Sequence, residues 1–376
     1  VTLFVNAAYE RERSQLGDRH FTAGKALTRV NDLSGAAVEF RKALLFAPDN
    51  TEYELSLATT LVDSRRFDEA ESHLEQLSQQ DPTNGRINLL LARVALMEHH
   101  TGQAVASFQR AVYEYWPPDE ISERREARWE LIDLLAADGH QRDQLVGELL
   151  QLYGNLPPHS DQRMRVGTFL LNAGADAEAG HVFRDVLKDG AGEPMAQLTA
   201  DLVRAHSGLA QIAFRAGDFI EARHEYQRVL KQAPDDLATV AALELTNDII
   251  DMAPQLPNIS PGERLRRSEN LLKRVEGDLR NCAGALDQQA VATGAPVSGT
   301  GTCPPDSGPA SCALEQRLQE IMPANGRKLT DKDDDAARFQ QAAEGLWKQR
   351  STYCGQHHVT DPALEAVLPR VEHEQQ

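Results

Sequence analysis

The sequence predicts an all-α protein: a stack of helical hairpins followed by a small, cysteine-bearing helical module. Three observations predict this. Ala36, Phe40, Ala43 and Pro48 return 34 residues later as Ala70, Leu74, Leu77 and Pro82, and again as Ala104, Phe108 and Ala111, with Pro117 one place late. Each unit holds two stretches with apolar residues at i, i+3, i+4 and i+7, the stripe of an amphipathic helix. All four cysteines, Cys282, Cys303, Cys312 and Cys354, lie beyond the repeats.

The elements follow in chain order. "VTLFVNAAY" at the start is apolar and too short to span a bilayer. It reads either as the remnant of an anchor or trimmed signal over residues 1–16, or as a first amphipathic helix with Leu3, Phe4, Ala7 and Ala8 on one side. From Gly17 the repeats begin. Upstream of each Ala-x3-Phe frame lies a second one: Ala23-Gly24 with Leu27, Leu57-Ala58 with Leu61, and Leu91-Ala92 with Ala95. Small residues fall where two helices approach closely, and Phe40, Phe108 and Phe183 fill the space beside them. The turns "APDN", "DPTN" and "APDD" end one helix with Pro and start the next with Asp or Asn.

This pattern resembles the tetratricopeptide repeat, in which W-x2-L-G-x2-Y, A-x3-F and P recur every 34 residues. The resemblance covers about residues 17–252, in about six units. Gly167, Leu170, Ala179, Phe183 and Val186 make a later unit, and Leu209, Ala210, Ala222, Tyr226, Val229 and Pro234 the clearest late one. Residues 125–158 keep a helical period but lack the small residues, so they read as a degenerate unit. Leu237 to Met252 reads as the helix that closes the stack. The Trp of the pattern is absent: His20, Glu54, Asn88, Arg163 and His206 stand in its place. The resemblance implies a right-handed hairpin solenoid with a concave face lined by the first helix of each unit.

Residues 253–376 form the C-terminal module. It opens with a long helix bearing Leu265, Leu272, Val275 and Leu279 on one stripe, then a Gly/Pro/Ser loop over 293–311. Helices Ala313 to Met322, a third with Thr330 and Asp333 in capping-box spacing, and Pro362 to Val371 follow. The module is expected to pack on the last repeat.

Composition limits the function. Of 376 residues, 41% are hydrophobic and 26% charged, which fits a folded chain, and the net charge of -18 opposes nucleic-acid and anionic-lipid surfaces. On the predicted concave face stand Lys25, Arg29, Arg86, Arg93, Arg204, Gln211 and Arg215, a local basic bias suited to an acidic or C-terminal peptide segment. The family's Lys/Asn clamp for chaperone tails is not matched, because Phe21 and Lys25 occupy its places. The alternative is a solvated groove with ordinary charges.

The cysteine spacing, C-x20-C-x8-C-x41-C, lacks a C-x2-C pair and so argues against structural zinc. Two disulfides are expected, with Cys282–Cys354 and Cys303–Cys312 favoured by an up-down-up helix order, and they point to an oxidising compartment. Reduced thiols are the alternative, as is a metal or enzymatic site in the tail around Cys354, His357 and His358. "DKDDD" lacks the Gly and Glu of a calcium loop and reads as an acidic helix start. His99-His100 reads as a surface pair. No catalytic motif stands out and no cofactor is expected. The chain is therefore expected to be a non-catalytic protein-interaction scaffold, periplasmic or extracellular, either tethered to a membrane or held in a membrane-associated complex. A cytoplasmic adaptor or assembly chaperone with reduced cysteines is the alternative.

Overall fold

The computed structural model describes residues 2–158, 160–189, 195–292, 308–321, 331–354 and 361–374. They form helices, and among them the only β-type pairing is an isolated bridge between Asn84 and Tyr115. The chain gathers into two compact units, Val1–Ala179 and Gly180–Gln376.

Unit one contains α1 (Thr2–Arg29), α2 (Leu33–Phe46), α3 (Thr51–Asp63), α4 (Phe67–Gln80), α5 (Gly85–Met97), α6 (Thr101–Tyr113), α7 (Ile121–Asp138), α8 (Arg142–Gly154) and α9 (Asp161–Asn172). α1 runs without a break from the N-terminal segment into the first hairpin. The expected small residues sit where helices close on each other. A Cβ on Gly24 would lie 2.6 Å from the Phe40 ring, so Phe40 packs within its own hairpin. Phe40, Leu57, Leu61, Leu74, Leu77 and Ile87 then share one core. Asn50 and Asn84 cap α3 and α5, each accepting from the backbone N–H groups two and three residues on, as the turn motifs anticipate.

The turn inside each hairpin has a period of its own. Asn31, Arg65 and His99, 34 residues apart, all adopt left-handed backbone with φ near +60°, and Gly139 takes the same conformation after α7. An L side chain pays roughly 1–2 kcal/mol for that conformation.

The missing Trp has a structural replacement. In three hairpins its position forms a polar pair with a residue 19 places later on the second helix. His20 Nδ1 lies 2.7 Å from Glu39, His73 Nδ1 3.2 Å from Glu54, and His206 Nδ1 2.6 Å from Glu225. Asn88 instead donates to the carbonyls of Pro82 and Asn84 at 3.0 and 2.9 Å. The degenerate unit keeps a related device, with Arg128 3.4 Å from Glu148. Hydrogen bonds from Lys42 and then His20 hold the Glu39 carboxyl below its usual range. Burial pushes Glu225 up, but its bond to His206 and the charges of His206 and Arg228 outweigh that and lower it.

Unit two contains most of α10 (Asp176–Asp189), then α11 (Met195–Ala216), α12 (Phe219–Gln232), α13 (Leu237–Met252), α14 (Pro261–Ala292), α15 (Pro309–Ile321), α16 (Lys332–Lys348), α17 (Arg350–Cys354) and α18 (Pro362–Glu374). The Phe183 ring packs directly on Gly208, where any side chain would collide. The C-terminal helices share one core with the last repeat: Phe219, Ile249 and Ile250 meet Leu272, Val275, Leu279, Leu346, Leu364 and Val367. Within that core Cys282 and Cys354 form a disulfide, with their Cα atoms 5.0 Å apart, joining α14 to α17. Cys312 is disulfide-bonded too, while Cys303 and its expected pairing lie outside the described residues. The cap of α16 is Asp331, whose carboxylate accepts from Asp333 N–H; Thr330 of the expected capping box also lies outside them.

Polar contacts tie the module together. Asp287 on α14 reaches the start of α15, accepting from the N–H groups of Ala310 and Ser311 at 2.9 and 3.0 Å. Glu263 accepts from Arg266 and Arg267, which pull its pKa down to about 2. Arg274 bridges Asp361, at the start of α18, and Asp248 on α13, at 2.5 and 3.4 Å.

Candidate partner-binding surface

The first helices of the hairpins form a row in unit one, and four of the seven predicted groove residues fall on it. Lys25 and Arg29 lie on α1, Arg86 and Arg93 on α5; in unit two Arg204, Gln211 and Arg215 lie on α11. Most of these cations already have anionic partners. Lys25 donates to Glu52 on α3 at 3.1 Å and stands 4.2 Å above the Phe21 ring. Arg86 pairs with Glu120 at 3.4 Å. Arg93 grips Glu130 on α7 through Nε and Nη2, the closest contact being 2.6 Å, and that bond raises its pKa. Asp63 lies close enough to feel both arginines, yet burial still raises its pKa.

The row therefore carries a ladder of charge pairs between neighbouring repeats rather than a run of open cations. It continues at Arg165 on α9, which donates to Asp133 on α7 at 2.9 and 3.0 Å and lies 3.9 Å above the Trp129 ring. Glu52, Glu130, Asp133, Trp129 and Arg165 were not singled out from the sequence. Partners 27 to 37 residues apart follow no single period that would advertise them.

The remaining predicted positions differ. Arg204 pairs with Asp201 on its own helix, and Gln211 Nε2 donates to Ser207 Oγ at 3.4 Å. Arg215 and Arg29 occupy the last turns of α11 and α1, where a positive charge complements the helix end. Among the described residues, no three His, Cys, Asp or Glu side chains converge as a metal site. Cys354 is committed to the disulfide, so it supplies no thiolate ligand, and His357 and His358 lie outside the described residues. Among the described residues no helix is long and apolar enough to cross a membrane.

Paired helices of repeating length, packed through small residues and faced with polar side chains, define a helical-hairpin repeat protein. The chain carries tetratricopeptide repeats over part of its length: models described as tetratricopeptide repeat match residues 27–94, 61–115 and 203–236. No curated protein matches it. Among solved structures it is similar to pilF of Pseudomonas aeruginosa, at 13% identity over 62% of this chain and 99% of that one, with a TM-score of 0.40. It is also similar to PilW, described as a widely conserved type IV pilus biogenesis factor, at 16% identity over 61% and 99%, with a TM-score of 0.37. YrrB, described as a TPR protein with an unusual peptide-binding site, aligns at 15% identity over 64% and 97%, with a TM-score of 0.33. At these identities and TM-scores the likenesses carry no argument of their own. The tetratricopeptide repeats that the family models match are a fold of protein-protein interaction scaffolds, generally non-catalytic, and they suggest protein partners.

Proposed function

We propose that this protein is an exported or membrane-tethered, non-catalytic scaffold subunit of a larger complex, periplasmic or extracellular in location. The observation that carries the compartment is the Cys282–Cys354 disulfide, buried in the core that the C-terminal helices share with the last repeat. Structural disulfides persist in oxidising compartments and are rare in reducing ones. Partners engage the row of first helices and the C-terminal module. An acidic or C-terminal peptide segment laid along that row competes with Glu52, Glu120 and Glu130 for Lys25, Arg86 and Arg93.

Crosslinking in native membranes, followed by identification of the adducts, tests the reading. A specific protein partner is expected; recovery of nothing above background contradicts it. Because Arg93 is paired, single charge reversal there would disturb the protein itself. Exchanging the pair, Arg93→Glu with Glu130→Arg, keeps the internal attraction and isolates the effect on the partner.

A further inference from the structure

A cleft of about 380 Å³ opens in unit one between the C-terminal ends of α6 and α8 and the first half of α7. Arg124, Arg125 and Arg128 line it, together with the apolar surfaces of Tyr113, Ile121 and Leu152, and no carboxylate does. That is unusual in a chain of net charge -18. A cleft of about 330 Å³ in unit two sets Asp248 and Asp251 against Lys273 and Arg274, so its signs balance.

The walls are held in place. Trp116 is buried against Gly85 and donates its indole N–H to the Ala111 carbonyl at 2.6 Å. Gly85 N–H donates to Tyr115 O, and Tyr115 N–H to Thr83 O, pinning the segment between α6 and α7. Tyr113 donates its hydroxyl to Glu148 at 2.5 Å, and the buried Arg128 faces the same carboxylate. Arg124 uses Nε on the Val112 carbonyl at 2.6 Å.

The charges can then be counted. Glu148 offsets Arg128. Arg124 spends one of the five donors of a guanidinium. Arg125 is exposed and, among the described residues, has neither hydrogen-bond nor ion-pair partner. Two guanidinium groups are thus left over beside the positive end of α7. Around them Tyr113, Tyr115 and Ile121 expose 50%, 66% and 45% of their surfaces. Rigid aromatics and arginine are the side chains that contribute most at protein interfaces, and a fixed wall loses little entropy on binding.

We propose that this cleft docks an acidic peptide segment of a protein partner. Arg124 and Arg125 receive a carboxylate side chain, and an adjoining apolar side chain lodges against Tyr113, Ile121 and Leu152. The apolar wall favours a peptide over a simple anion, and the chain's overall charge opposes nucleic acid. The inference rests on the protein-binding reading above and moves acid recognition from the row of first helices to this cleft.

The test is fluorescence anisotropy with the full chain and a labelled, end-blocked peptide alternating Glu and Leu. Its twin with Gln in place of Glu is the control. The Glu peptide is expected to bind more tightly than the Gln peptide, with the difference shrinking as salt is raised. Arg125→Glu is expected to weaken it about tenfold or more and to leave thermal melting unchanged, since Arg125 holds nothing in the fold. Ile121→Ala is expected to weaken both peptides. Equal binding of the two peptides, or full affinity in Arg125→Glu, overturns the cleft. Loss in the Arg93→Glu, Glu130→Arg exchange with full affinity in Arg125→Glu puts acid recognition on the row of first helices, which overturns the cleft and leaves the scaffold reading intact. The scaffold reading fails separately, on the absence of a crosslinked partner.

Discussion

The repeat hairpins α1–α6 and the C-terminal helices α14–α18 are held together differently. The hairpins contain no cysteine and stand on packing: Phe40 and Phe108 are essentially inaccessible, and alanines or glycines let the helices close. Each hairpin repeats one solution, down to a left-handed turn residue every 34 positions, and the first two carry a His/Glu pair in the place of the pattern's Trp while Asn88 in the third bonds to backbone carbonyls. The module has no such repetition. Its helices differ in length, from the 32 residues of α14 to the five of α17, and their contacts are cross-links between distant parts of the chain. Cys282 and Cys354 are 72 residues apart, and Arg274 and Asp361 are 87 apart. A repeat obtains order from its neighbours; a single module needs covalent and ionic ties that close long loops.

Reducing the disulfide is expected to separate the two regions most strongly. Opening a loop of this length costs the module about 2–4 kcal/mol. With reductant, amide exchange should accelerate in α14–α18 while α2–α6 keep their protection. Equal acceleration in both regions would erase the contrast.

Asp287→Ala comes next. It removes the cap that α14 lends to α15, a loss of about 1–2 kcal/mol, and should lower the melting temperature of the module without touching the hairpins. Burial pushes the Asp287 carboxyl up, but its bonds from Ser311 and Ala310 outweigh that and depress it. The stabilisation is therefore fully present above the ordinary Asp range, near 3.9, and is lost as pH falls through the lower folded value. The variant and the parent should converge in stability at the acid end; a constant gap would mean that the carboxylate charge is irrelevant.

The smallest effect is confined to the hairpins. Arg65→Gly and His99→Gly relieve left-handed strain and should each stabilise by about 0.5–1 kcal/mol, after the entropy cost of glycine. Asn31→Gly should gain less, because Asn tolerates that conformation. Destabilisation in thermal melts by Arg65→Gly would mean that its side chain has another role.

Much of this contrast was legible in the sequence. The 34-residue spacing of Ala36, Ala70 and Ala104 announces hairpins because a close helix crossing tolerates only small side chains. The turn motifs located the caps at Asn50, Asn84 and Asp236. Helix direction put Cys282, Cys312 and Cys354 near one end, which favoured the observed Cys282–Cys354 pairing while all three connectivities stayed open. The surface was harder to read. Lys25, Arg86 and Arg93 were visible as cations, but their neutralisation by Glu52, Glu120 and Glu130 depends on the offset between adjacent hairpins, which no local pattern records. The Arg124, Arg125 and Arg128 cluster was hidden for a related reason. It straddles the start of the degenerate unit, where the repeat frame gives no position from which to assign a face.

A packing-built repeat array is joined to a disulfide-braced module, and the proposed oxidising compartment rests on that disulfide. Alkylating the native protein with a thiol reagent, before and after reduction, and mapping the adducts by mass tests it most directly. The account predicts no adduct on Cys282 or Cys354 until reductant is added. Labelling of both in the unreduced, folded protein would contradict it and return the chain to a reducing compartment.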